Sequence, residues 1–340
     1  MSLLSRVAER IYWSARYLER AETTARLARV YGNLLLDLPR QAGLKWDLLI
    51  EITGCAELYR ELQPNPGPDT AQRFLVADRL NPSSVRSSLL QARENLRTTR
   101  DNLPSEAWRS VNELCMYVGE ELDAATSHRR RYGIHSRVVE GCQQISGLLH
   151  DTMSHDAGYQ FFRIGRGVER ADMTTRIIDV AAATLHGRED LARFDNTLWM
   201  AVLQSLSAYQ MYRQKVRRRI DGTDVIAYLL KDDQFPRAFS FSLREVGSAL
   251  AVLPRNAEPH KSLGGLRRML AQLEVAGLDI ATLHQWIDDA QRELGELHTL
   301  IHRTWFEPSI NAVGQKPVVI ETQSQVQSHA PTERSAAAGP

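Results

Sequence analysis

Arg16, Glu19, Arg20 and Arg26 stand close together near the start of the chain, with Thr23 among them. Arg166, Glu169, Arg170 and Arg176 repeat that spacing 150 residues later, with Met173 in the place of Thr23. On an α-helix, residues three or four apart share a face. Each set therefore draws a polar stripe of guanidiniums and a carboxylate beside an apolar stripe. Arginine binds carboxylates and phosphates through two parallel hydrogen bonds, and here arginines outnumber glutamates. One reading is an anion site for a phosphate, a carboxylate or an acidic peptide. The other is a structural Arg–Glu network that fixes helix register, since buried pairs are costly to desolvate and serve geometry better than stability. The spacing leaves both open. If the two helices pack together, Glu19 and Glu169 would meet arginines across the contact.

Other candidate chemistry is thinner. His298 and His302 are four apart on one helix face, as metal ligands can be, but no Glu follows His298 and the His-Glu-x-x-His pattern fails. His284 lies about 21 Å away along the same helix by rise per residue. Lys215, Arg217, Arg218 and Arg219 cluster where a helix should end, where basic residues complement its dipole. There is no Gly-rich phosphate loop, no Gly-x-Ser-x-Gly and no Glu-x-x-His pair of di-iron bundles. No metal and no cofactor are expected. The six tryptophans are spread along the chain, as core or interface anchors would be.

The elements that must position these residues read as helices throughout. Val7, Ile11, Ala15, Leu18, Ala25 and Ala28 set a helical period from about Leu3 to Leu36. A second helix is expected over about 45–62, stopped by Pro64-Asn65-Pro66-Gly67-Pro68. Asn81-Pro82 reads as a cap and first helical residue, opening a helix to about Asn102. Further helices are expected at about 104–127 and 136–151, with Arg129–Gly133 as a basic loop between them. The second half is read as helices at about 156–185, 194–219, 223–231, 235–253, 260–273 and 278–302. No alternating β-branched run bounded by hairpin turns is present.

The halves resemble each other beyond the two stripes. Arg16, Glu19, Arg20, Ala21, Thr24 and Arg26 recur identically at 166, 169, 170, 171, 174 and 176, and Val30 recurs at Val180. Trp46 then pairs with Trp199, Tyr59-Arg60 with Tyr212-Arg213, Pro82 with Pro236, Ser88-Leu89 with Ser242-Leu243 and Leu96 with Leu250. An offset that drifts from 150 to 154 while order is kept is what duplication with small insertions leaves. The expected fold is all-α: a helical bundle of two tandem diverged repeats, residues 1–152 and 153–310. A polar tail at 311–340 is expected to be disordered.

Composition narrows the class. Of 340 residues 43% are apolar and 24% charged, enough for a sizeable core. A net charge of +1, from 42 basic and 41 acidic residues, does not suggest a nucleic-acid binder. Cys55, Cys115 and Cys142 are too few and too scattered for a disulfide framework. Charges by Arg6 interrupt any signal peptide, and no apolar run is long enough to span a membrane. A cytoplasmic protein without a membrane partner is expected.

Leu4-Ser5-Arg6-Val7-Ala8-Glu9-Arg10-Ile11-Tyr12-Trp13 and Arg16-Tyr17-Leu18-Glu19-Arg20-Ala21-Glu22 open the chain. With Leu80–Arg86, Arg166–Met173 and Phe235-Pro236-Arg237, they resemble the bacterial alpha-E proteins over about residues 1–310. That family is helical, uncharacterised and named for a Glu-Arg motif. The resemblance implies genomic association with circularly permuted ATP-grasp ligases and transglutaminase-like proteins, in a setting of peptide-bond formation or protein tagging. It points to a non-catalytic accessory that binds the ligase or its peptide substrate. Two alternatives stand beside it: a transferase or ligase component using Glu19 or Glu169 as acid or base, and a structural interaction scaffold.

Overall fold

The computed structural model describes residues 3–39, 43–124, 128–185 and 189–307. Among these residues all regular structure is helical and no strand occurs. The chain runs through α1 (Ser5–Asp37), α2 (Asp47–Ile52), α3 (Ala56–Leu62), α4 (Pro68–Val76), α5 (Val85–Arg97), α6 (Ser105–Ala124) and α7 (His128–Thr152). It continues with α8 (Ala157–Leu185), α9 (Glu189–Ala192), α10 (Asp195–Ser205), α11 (Tyr209–Val216), α12 (Gly222–Lys231), α13 (Phe239–Ala251), α14 (Ala257–Gln272) and α15 (Ile280–Ile301). A 3₁₀ turn at Arg100–Asn102 precedes α6, and a π-helical turn at His302–Phe306 follows α15.

The two longest early and late helices, α1 and α8, form the centre. At 1.5 Å per residue α1 is about 50 Å long. It stops at Leu38, whose extended backbone is the conformation that a following proline imposes. α5 and α7 pack on α1, α13 and α15 pack on α8, and α1 and α8 pack on each other. Being covered on several sides, α1 buries Ile11, Tyr12, Leu18, Ala21, Ala25 and Ala28 together with Glu19, Glu22 and Arg26. The close approach depends on small residues. A Cβ on Gly165 of α8 would sit 2.3 Å from the Tyr12 carbonyl oxygen and 3.2 Å from the Ala15 Cβ. Glycine opposite alanine lets the backbones touch one turn before Glu169, which brings the charged stripes within reach of each other.

Several local readings of the sequence are corrected. The helix expected over 45–62 is broken at Gly54, which takes φ +70°. The helix expected over 194–219 is broken at Ser207, φ 54°. Both breaks close in the same way: Cys55 N–H donates to Ile50 O and Ala208 N–H to Leu203 O, the bond that ends a helix around a left-handed residue. Pro68, read as part of a helix stop, is the first residue of α4, which the sequence reading missed. Asn81 does not cap α5. Its side chain accepts from Ser83 N–H and donates to the Phe74 carbonyl, tying the turn to α4, while Ser84 is the cap and accepts from Ser87 N–H. Likewise α13 starts at Phe239, after the Pro236-Arg237-Ala238 segment. Arg129–Gly133 is not a loop but lies in the first turns of α7. Arginine favours helix and one glycine is tolerated, and Arg130 is held by Glu121 at 2.9 Å. The tail expected at 311–340 lies outside the described residues.

Some buried polar and aromatic groups have structural partners, while others, among them the Thr24 hydroxyl and Arg26 Nε and Nη1, have none. The Tyr12 hydroxyl and His298 Nδ1 are 2.9 Å apart, joining α1 to α15. Trp305 Nε1 donates to the Pro254 carbonyl at 2.9 Å. The cysteines are free; Cys55 and Cys142 are buried, and burial pushes the Cys115 thiol up to about 12. No helix among the described residues is long and apolar enough to cross a membrane.

Candidate functional site

The stripes of α1 and α8 meet, and they cross. Glu169 receives Arg16 Nε at 2.7 Å and Arg20 Nε at 2.6 Å, and Arg20 Nη2 adds a third bond at 3.1 Å. In the opposite direction Glu19 receives Arg170 Nε at 2.8 Å. Both carboxylates are buried, with side chains 1% exposed. Arg16 also lies over the Trp13 ring and Arg20 over the Tyr17 ring. The two arginines are thus held between a carboxylate and an aromatic face.

Around Glu19 the arrangement is closed by a residue that the sequence reading quoted without giving it a site role. Arg237, from the segment before α13, donates through Nη1 to Glu19 and through Nη2 to Glu22 Oε1 at 2.6 Å. Glu22 also receives Arg26, four residues on, and Gln143 Nε2 from α7 at 3.0 Å. Arg26 is fully buried. The Arg237 backbone is fixed as well, because the Thr174 hydroxyl donates to its carbonyl at 2.9 Å. Arg166 lies over the Phe162 ring and supports ionised Glu19 through its charge. Glu22 carried a signal in its four-residue spacing to Arg26. Arg237 carried none beyond following a proline, since its partners lie more than 200 residues earlier.

Around Glu169 the corresponding place is open. Asp172 and Arg176 pair across one helical turn, Arg176 Nε lying 3.1 Å from both carboxylate oxygens. Beside them is a cleft of about 230 Å³ lined by Arg16, Arg20, Thr24, Ser83, Glu169 and Arg176 among others. Ser83 follows Pro82 as Arg237 follows Pro236. Gly54 forms part of the wall, and a Cβ there would lie 2.9 Å from Arg176 Nη1. Thr24 is buried and its hydroxyl has no partner.

The charges are settled by mutual support. Burial pushes Glu19 upward, but Arg170, Arg237, Arg166 and Arg26 reverse this and leave it at about 2. Glu169 is likewise raised by burial and brought to about 2 by Arg20 and Arg16. The guanidiniums crowd one another. Arg170 is pulled down to about 10 by burial, with Arg237 and Arg166 adding to it against the pull of Glu19. Arg26 falls to about 10 through burial and Arg237. All remain charged near neutrality. A carboxylate at about 2 with its oxygens occupied is a weak proton acceptor. The arrangement is built to hold charge in place rather than to move protons.

The remaining candidates are dispersed. His298 is directed at Tyr12, while His302 lies 3.8 Å from Glu9 and 3.6 Å from Glu307. His284 pairs with Asp179. Among the described residues no group of three or more His, Cys, Asp or Glu side chains is placed to hold a metal ion. Lys215 pairs with Asp232 at 2.5 Å and Arg218 with Asp224.

The Glu-Arg pairs at 19–20 and 169–170 are thus the crossing point of the fold. Residues 3–306 match the alpha-E family, described as "a predicted alpha-helical domain with a conserved ER motif". The chain belongs to the alpha-E family. This alpha-E chain is also similar to uncharacterized proteins of Mycobacterium bovis and Mycobacterium tuberculosis. Each is 24% identical to it over 324 residues, which is 87% of this chain but only 35% of the relative. The alpha-E chain therefore spans about a third of the length of these relatives. No solved structure matches it.

Proposed function

We propose that this alpha-E chain is a non-catalytic accessory of an ATP-grasp-type ligase, acting in the bacterial cytoplasm in peptide synthesis or protein tagging. It binds the ligase or its acidic peptide substrate through the arginine-lined faces of α1 and α8. The observation that carries this reading is the pairing of saturated glutamates, ionised near neutrality, with arginines that border an open cleft. Such a site binds and orients. It offers no general base, which counts against the alternative of Glu19 or Glu169 as a catalytic group. A transglutaminase-like protein belongs to the same proposed setting.

The longer relatives support the reading in one respect. The region they share with this chain makes up about a third of their length, which leaves room for a further module beside it. A duplicated origin fits as well. α1 and α8 have matching neighbours in α5 and α13 and in α7 and α15, and the breaks at Gly54 and Ser207 share their geometry. We read the two halves as diverged repeats meeting about a pseudo-twofold axis.

The test is to purify the chain with and without an ATP-grasp-type ligase. Complex formation, and ATP turnover with acidic peptides that needs both proteins, is the expected result. A ligase that neither binds this chain nor changes its turnover in its presence rules the accessory role out.

A further inference from the structure

Glu19 and Glu169 solve the same problem differently. Glu19 is met by one arginine of α8 and by Arg237, while Arg166 turns to Phe162. Glu169 is met by both arginines of α1 and needs no third. Ser83 stands where an Arg237 counterpart would start, and it is too short to reach across. The volume that Arg237 fills on one side is therefore left open on the other, as the cleft of about 230 Å³.

What borders that cleft is mainly donors. Arg16 is bonded to Glu169 through Nε, Arg20 through Nε and Nη2, and Arg176 to Asp172 through Nε. Arg20 Nη1 and both Nη atoms of Arg176 are not used by these pairs. The buried Thr24 hydroxyl has no partner, whereas its counterpart Thr174 is bonded to the Arg237 carbonyl. Three guanidiniums face two carboxylates whose oxygens are taken, so the cleft carries a surplus positive charge. A second cation would meet repulsion there. An acceptor-rich anion would find charge-assisted hydrogen bonds from a rigid, half-buried fork.

We propose that the Arg16–Arg20–Arg176 cleft beside Ser83 and Thr24 binds one oxyanion group, a carboxylate or a phosphate, per chain. The closed Glu19–Glu22–Arg237 cluster binds none, because Arg237 is its internal plug. The volume suits one such group with a few attached atoms and is below that of sites for whole drug-sized ligands. The inference deepens the binding role proposed above and gives it a ligand class.

Calorimetric titration of the full chain at low chloride tests it, with inorganic phosphate in one arm and glycyl-glutamate in the other. One saturable site per chain is expected for at least one probe, and the arm that binds identifies the source as phosphate or carboxylate. Ser83→Arg should plug the cleft and Arg176→Gln should remove its outer fork, each weakening binding by roughly tenfold or more. Thermal unfolding checks that both variants fold, and Arg176, being partly exposed, carries the test if Ser83→Arg does not. Absence of saturable binding in both arms overturns the proposal. So does binding unchanged in a folded variant, or a preference for arginine amide over both anions. Ligase association without oxyanion binding removes the cleft and leaves the accessory role; oxyanion binding without ligase association does the reverse.

Discussion

Arg237 Nη2 lies 2.6 Å from Glu22 Oε1, joining residues 215 positions apart within the buried centre of the fold. The same guanidinium holds Glu19. Removing one partner of a buried pair strands the other charge, typically at a cost of roughly 3–5 kcal/mol. Arg237→Ala should destabilise the chain by about that amount. Arg237→Lys should recover only part, because an ammonium cannot span two carboxylates as the planar fork does. Urea midpoints of the two variants check this. Equal stability of Arg237→Ala and the parent chain would show that the Arg237 bridge contributes nothing.

Glu169 gathers Arg16 and Arg20, so its neutralisation leaves two guanidiniums crowded without a counter-charge. Glu169→Gln should cost a few kcal/mol by the same argument. Replacing the group together, as Arg16→Met, Arg20→Met and Glu169→Leu, should restore most of that stability, because a packed apolar cluster escapes the desolvation cost. Denaturant titration of the single and triple variants decides it. A triple variant no more stable than Glu169→Gln would mean that the ions do more than fill space.

The helical class and the central pair of helices were legible because apolar residues recur with helical period and no proline interrupts positions 5–37 or 157–185. The crossing of the stripes was legible as a conditional: identical spacing predicts matched faces, and the small pair Ala15 and Gly165 lets them touch. The breaks were not. Gly54 could have signalled one, but Ser207 adopts a left-handed conformation without a residue type that announces it. The site was half legible. Residues in helical spacing could be grouped from sequence, but Arg237 reaches Glu19 only through the packing of α13 on α8, which no local pattern encodes.

Gly165 sets the distance between α1 and α8, since a Cβ there would lie 2.3 Å from the Tyr12 oxygen. That contact is with backbone, which cannot swing aside as a side chain does. Gly165→Ala should therefore destabilise despite its better helix propensity, by about 1–3 kcal/mol for overpacking, and Gly165→Val by more. Both should also loosen the Arg16–Glu169 pair, read as weaker oxyanion binding in molecules that remain folded. A stabilised Gly165→Ala would show that the helices can part at no cost.

Acid should act in two stages with different residues. Burial, together with Arg16 and His302, lowers the pKa of His298 from its ordinary 6.5 to about 4, so the folded ring is neutral where the unfolded one is charged. Its contribution is complete above pH 6.5 and is lost as the pH falls from 6.5 toward 4. Partial exposure to solvent limits the slope to on the order of 1 kcal/mol per pH unit or less. Glu19 and Glu169 are held at about 2 against an ordinary 4.5, so their contribution is complete above pH 4.5 and is lost as the pH falls toward 2. Urea midpoints between pH 8 and 3 should first decline below about 6.5 and then fall steeply below about 4.5. His298→Gln should flatten the first decline alone, and the Arg16→Met, Arg20→Met, Glu169→Leu variant should shrink the second. A first decline that survives His298→Gln assigns it to another group, because the Tyr12–His298 contact would then be absent while the pH dependence remained.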